Sequence, residues 1–168
     1  MSKAFTREDD QPDQPVVARR LSPLPPGTRN LTTAGGARRM REEISRLQAE
    51  RDQLAGREKD PAVLQSLATL DQRIRNLDES LQTVVIVPPP TTPDQVVRFG
   101  ATVTVRESDA STSSYQIVGV DEVDLDRNCI SWLSPLAKAL LNRRAGDRVR
   151  LQTPGGERKL EIVAVTHS

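Results

Sequence analysis

Few side chains in this sequence are grouped closely enough to do chemistry. Asp121, Glu122, Asp124 and Asp126 form an acidic run with the look of a cation loop. A Ca²⁺ loop also needs a glycine at its sharp turn and a closing bidentate Glu; neither is present, so no metal site is assigned. Cys129 is the only cysteine, which excludes an intramolecular disulfide and a Cys-based cluster. With Ile130 as its neighbour it reads as a core thiol. His167 is the only histidine and supports neither a triad nor a zinc site. Glu58 and Asp60 alternate with Arg57 and Lys59 in Gly56-Arg57-Glu58-Lys59-Asp60-Pro61, a charged turn. No catalytic residue is assigned anywhere.

That turn is positioned by the two segments beside it. Ala37, Met40, Ile44, Leu47 and Leu54 are spaced by threes and fours, with Arg51 interrupting. Leu64, Leu67, Leu70, Ile74, Leu77 and Leu81 repeat the pattern after Pro61. Such spacing keeps one narrow apolar seam on a helix and predicts two helices zipped together as an antiparallel hairpin over 32–84. Arms of roughly 23 residues make a rod roughly 35 Å long. A rod of this kind reaches, and its charged tip implies that what it reaches is polar. Thr32 or Thr33 caps the first arm, and Gly35-Gly36 would let another backbone approach closely. Arg38, Arg41 and Arg46 are either a solvated face with i, i+4 pairs or a basic flank guiding a phosphate backbone.

Residues 1–31, with five prolines in the first thirty, read as a disordered tail. Residues 85–94 carry Pro88-Pro89-Pro90 and Pro93, a stiff linker. Over 95–168 the periodicity becomes two. Strands are expected through Val97–Val105, Tyr115–Val118, Cys129–Trp132, Val149–Leu151 and Leu160–Thr166, with one helix opened by Ser134 and Pro135. The fold class is α+β: a helical hairpin, then a small domain with one helix on an antiparallel sheet.

Of 168 residues, 36% are apolar and 2% aromatic, which leaves no large core; the 24 Lys and Arg against 23 Asp and Glu argue against bulk binding of naked DNA. The longest apolar run, Val84–Val87, is strand-like and far too short to span a membrane. With no leader-like segment near Met1 and a single cysteine, a cytoplasmic protein is expected.

Four phrases, in order, resemble the C-terminal domain of Gre-type (GreA/GreB) transcript-cleavage factors. They are Phe99–Val105, Tyr115–Glu122, Ile130–Leu141, and Gly146-Asp147 with Thr153–Gly156. Thr33–Ile44 is similar to the start of that family's coiled coil. The resemblance implies an FKBP-like C-terminal domain that docks at the rim of the secondary channel of a bacterial-type RNA polymerase. Asp121, Glu122, Ser134 and Pro135 are then the candidate docking residues. It also implies a coiled coil entering the channel as far as nascent RNA, and an acidic pair at its tip that helps hold a second Mg²⁺. That ion would be the polymerase's, not a cofactor of this chain. The family's tip carries Asp and Glu three apart followed by Asn; here Glu58 and Asp60 are the only tip acids. The hairpin is also about fourteen residues shorter, ~10 Å of reach, and a Mg²⁺ ligand must lie within ~2.1 Å of the ion. The expectation is therefore a monomeric, non-enzymatic elongation regulator with little cleavage stimulation. The alternatives are an active cleavage factor using Glu58 and Asp60, an FKBP-like prolyl isomerase, for which Phe99, Tyr115 and Trp132 are too few aromatics, and a coiled-coil dimerisation module.

Overall fold

The computed structural model describes residues 24–57, 59–91 and 94–167. Most of the proline-rich segment, residues 1–23, lies outside these, as does Glu58. The chain runs β1 (Asn30–Thr33), α1 (Ala34–Leu54), α2 (Pro61–Thr83), β2 (Val84–Val87), β3 (Thr102–Glu107), β4 (Thr112–Val118), β5 (Cys129–Ser131), α3 (Pro135–Leu140), β6 (Arg148–Thr153) and β7 (Gly156–Thr166).

The side chain of Thr33 caps α1 by accepting from the Gly36 amide at 2.9 Å. Asp60 caps α2, with Pro61 in its first turn, where a missing N–H costs nothing. Ile44 and Leu47 of α1 pack on Leu70 and Ile74 of α2, with Leu54, Leu77 and Leu81 at the margins. Arg51, which interrupts the apolar spacing, lies at the edge of this seam and pairs with Asp71 across it at 3.5 Å. Arg73 reaches Glu43 at 2.9 Å. Val63 is buried, whereas Leu64 is 51% exposed. The first buried apolar residue of α2 is therefore Val63, one residue before the expected start at Leu64.

β1 was not expected, since residues 30–31 fall in the supposed tail; the strand-like run Val84–Val87 is β2, although residues 85–87 fall within the bounds of the supposed linker. The two strands pair in parallel, Asn30 opposite Val84 through Thr33 opposite Val87. A parallel pair needs a crossover connection, and α1 with α2 supplies it. Both ends of the helical pair are thereby tied together at one place.

The remaining strands form one sheet in the order β5-β4-β3-β7-β6. It is mixed, not antiparallel as expected: β5 runs parallel to β4. No tight turn joins these two strands. The chain crosses instead through a 3-10 turn at Val120–Glu122 and the loop after it. Val103, Val105, Ile117, Leu160 and Ile162 face the core with Ala137 and Leu140 of α3. A register shift between β3 and β7 at Thr104/Val105 adds one residue to β7, as a bulge does. The inward set Leu160 and Ile162 then resumes at Val165, and Val163 is left outside, 44% exposed. α3 begins as expected: Ser134 Oγ accepts from the Ala137 amide at 3.1 Å, with Pro135 following.

Candidate functional site

At the far end of the helical pair the chain makes a compact turn. Gly56 takes φ +85°, a left-handed conformation that suits a residue without Cβ. The Arg57 amide donates to the Leu54 carbonyl and the Asp60 amide to the Arg57 carbonyl, at 3.2 and 3.1 Å. Asp60 Oδ1 accepts from the Ala62 amide at 2.9 Å. Its carboxylate is thus engaged at the start of α2, and the described residues of the turn are exposed.

Along the rod, Arg46 grips Glu43 at 2.8 Å and reaches Glu50 at 3.4 Å. The hydrogen bonds and charge of Arg46 hold the Glu43 carboxyl below its ordinary range. Arg38 lies 3.9 Å from Glu42, and Arg41 is exposed. Arg46 therefore belongs to a surface ion-pair cluster.

The acidic run divides in two. Asp121 is exposed, and its Oδ2 accepts from Asn30 Nδ2 at 3.2 Å. Glu122 is turned inward, 8% exposed. Its Oε2 accepts from Thr32 Oγ1 (3.0 Å), the Thr33 amide (2.9 Å) and the Gly119 amide (3.1 Å). Its Oε1 accepts from Thr33 Oγ1 (2.5 Å) and Arg39 Nη2 (3.2 Å). Glu122, expected as a partner contact, is instead a buried pin that fastens β1 and the start of α1 to the body. The reason is the surplus of donors at that junction, where a carboxylate is the natural acceptor. Two glycines make room for it. A Cβ on Gly36 would lie 2.0 Å from Glu122 Oε1, and one on Gly119 would lie 2.0 Å from the Leu31 carbonyl oxygen. The close approach anticipated at Gly35-Gly36 is therefore made by a side chain. Arg39 and Gly119 were missed, and Thr32 and Thr33 were read only as candidate caps of α1, a role Thr33 fills; the adjacent glycines in the first turn of a helix were the one visible signal of the Glu122 junction.

Ser134 and Pro135 form an outer corner in which Pro135 is exposed and the Ser134 side chain caps α3. Cys129 is buried, and burial pushes its thiol pKa up. Among the described residues no group of three or more His, Cys, Asp or Glu could hold a metal ion, and no helix is long and apolar enough to cross a membrane.

The structure is thus a two-helix rod, with ion pairs along its flanks, pinned at its base to a mixed-sheet body. Residues 92–167 match the family model for the C-terminal domain of the transcription elongation factors GreA/GreB. The chain is 34% identical over 152 residues to transcription elongation factor GreA of Alkalilimnicola ehrlichii, covering 81% of this chain and 96% of that protein. It is 44% identical over 100 residues to transcription elongation factor GreB of Neisseria meningitidis, of which the match spans 61%. The chain belongs to the GreA/GreB transcription elongation factor family. Among solved structures, Gfh1 of Thermus aquaticus aligns at 25% identity and a TM-score of 0.42, over 83% of this chain and 99% of that one.

Proposed function

We propose that this protein is a non-enzymatic regulator of transcription elongation that acts in the cytoplasm on a bacterial-type RNA polymerase. Its body, an FKBP-like domain in this reading, docks at the rim of the secondary channel through the Asp121 loop and the Ser134-Pro135 corner. The rod of α1 and α2 enters the channel toward nascent RNA. The chain brings no catalytic group and no cofactor; the Mg²⁺ ions of the site it approaches are the polymerase's. The observation that carries the weak-cleavage half of this reading is the state of Asp60. Its carboxylate is engaged with the Ala62 amide at 2.9 Å, and Arg57 and Lys59 flank it in the sequence. Cations beside a catalytic Mg²⁺ oppose recruitment of a further metal ion by Coulomb repulsion. The 21 residues of α1 reach only about 32 Å at ~1.5 Å per residue.

The test is a stalled, backtracked elongation complex carrying 3′-labelled RNA, incubated with and without the protein. The expected result is no accelerated release of short 3′ fragments, together with competition against a cleavage-competent relative. Rapid fragment release that is lost in a Glu58→Ala/Asp60→Ala variant would overturn this reading.

A further inference from the structure

The core of the body, with α3, lies on one face of the five-stranded sheet. Val149 and Leu160 point into that core, so by strand alternation Arg148, Arg150 and Lys159 stand on the opposite face. With Arg106 of β3 they are exposed around a shallow groove of about 730 Å³. Two acids share the groove. Glu107 is held by Arg158, and Glu161 is divided between Arg106 at 3.2 Å and Arg148 at 3.9 Å. Arg150 lies directly opposite Lys159 in the β6–β7 ladder. Like charges in that position repel each other, and among the described residues no acid pairs with either.

A second, independent feature lies along the same strand. β6 is an edge of the sheet, with β7 as its one neighbour. Thr153 pairs with Gly156 across a turn of only Pro154 and Gly155, so these two exchange the closing backbone bonds. Bonded and non-bonded pairs alternate along an antiparallel ladder. Leu151 and Val149 therefore bond to β7, while the backbone groups of Arg148, Arg150 and Gln152 point to the open edge. Among the described residues no backbone group pairs with them there. Unpaired backbone groups and unneutralised cations thus come from the same residues.

We propose that the β6 edge binds an extended segment of a partner protein in which acidic residues alternate with apolar ones. The segment adds a sixth strand, its main chain pairing with Arg148, Arg150 and Gln152. Its acids lie beside Arg148 and Arg150 on the outer face, and its apolar side chains continue the inner face next to half-buried Leu151. In this mode main-chain bonds supply affinity and alternate side chains supply selectivity. A second copy of this chain fits badly, because two β6 edges related by a two-fold set Arg150 against Arg150 or Arg148. Charges so placed are a common guard against self-pairing of an edge, and an acidic strand is the one they admit. A nucleic acid would use the cations but leave the backbone groups idle, and no aromatic side chain lines the groove for a base to stack on.

The test is an NMR titration of the full-length, isotope-labelled protein with a short capped peptide in which Glu and Val alternate, and separately with the same peptide carrying Lys for Glu. Saturable shifts are expected at the Arg148, Arg150 and Gln152 amides, with hydrogen exchange there slowed by the new backbone bonds. The Lys peptide should bind at least about tenfold more weakly. Arg150→Glu sets an acid opposite Lys159, so the fold should be retained, as circular dichroism would verify, and the Glu peptide should bind about tenfold more weakly. Gln152→Pro removes one outward N–H, a change that edge strands accept, and should weaken binding about threefold, the loss of one hydrogen bond. If Gln152→Pro fails to fold, Arg150→Glu still decides. No saturable shift up to about 10 mM peptide, a range reaching well past millimolar Kd, would overturn the site. Equal affinity for the two peptides, or unchanged binding in Arg150→Glu, would overturn the acidic partner. Shifts without slowed exchange at the three amides would overturn strand addition, and a DNA duplex that displaces the peptide and binds more tightly would overturn the proposal in favour of phosphate.

Discussion

Removing the Glu122 carboxylate would strip the acceptor from five hydrogen bonds at once. Thr32 is 1% exposed, so its hydroxyl cannot turn to water instead. Glu122→Ala is expected to destabilise the protein by about 3 kcal/mol, since buried donors left unpaired bear the full desolvation cost. Urea unfolding checks this, and a loss under ~0.5 kcal/mol, the level of an ordinary surface change, would mean the junction is not pinned there. Arg39→Ala should cost far less, because its side chain is 48% exposed and its ion pair is screened by water. Cys129 gives a second expectation at this scale. Burial raises its thiol pKa, so in the folded protein the thiolate, the reactive form, is disfavoured. Reaction with a disulfide reagent near pH 8 should be at least about tenfold slower than in urea. The sign for stability follows: the contribution is intact below the unfolded pKa and is lost as pH rises through the raised folded value. The core role of Cys129 was legible from its neighbours. The role of Glu122 was not, because nothing local distinguishes it from Asp121, Asp124 and Asp126. Only the chain returning from Leu31–Thr33 decides which of the four acids is buried.

The apolar residues of the two helices stabilise them lengthwise, and Leu47, 1% exposed, sits at the centre of their seam. Leu47→Ala should cost about 3 kcal/mol, the transfer term plus the cavity left behind, seen as a lower urea midpoint and a loss of helical circular dichroism. Leu64→Ala is a useful contrast: with the side chain 51% exposed, its effect should stay within about 0.5 kcal/mol. The positions Ala37, Met40, Ile44 and Leu47 were readable because a helix repeats its buried face every three or four residues, and all four are buried. Ser134 and Pro135 were readable because cap chemistry is local. β1 was not, since a four-residue strand has no periodicity to speak of and its partner Val84 is far along the chain. The direction of β5 was hidden for a related reason. Alternation reports which face a residue occupies, while direction depends on the connection, here the crossover through Val120–Glu122.

At the scale of the whole molecule, Glu122 and the β1–β2 pair join the rod to the body at its base. If the body is what grips the polymerase, as proposed, affinity and tip activity should separate by mutation. Asp121→Ser with Pro135→Ala removes an exposed charge and an exposed ring from the proposed docking face. Neither side chain is in the core, and Ala is well tolerated in the first turn of α3, so the fold should be retained, as circular dichroism would verify. Binding to RNA polymerase, measured by competition with a labelled relative, should fall by about tenfold, the equivalent of ~1.4 kcal/mol. Arg57→Ala with Lys59→Ala should instead leave binding within about twofold, a change of under ~0.5 kcal/mol, and act only on what happens inside the channel. The opposite pattern, with body variants binding normally and tip variants binding tenfold more weakly, would place the grip on the rod. The charge at the turn would then be an anchor, and the Ser134-Pro135 corner an ordinary helix start.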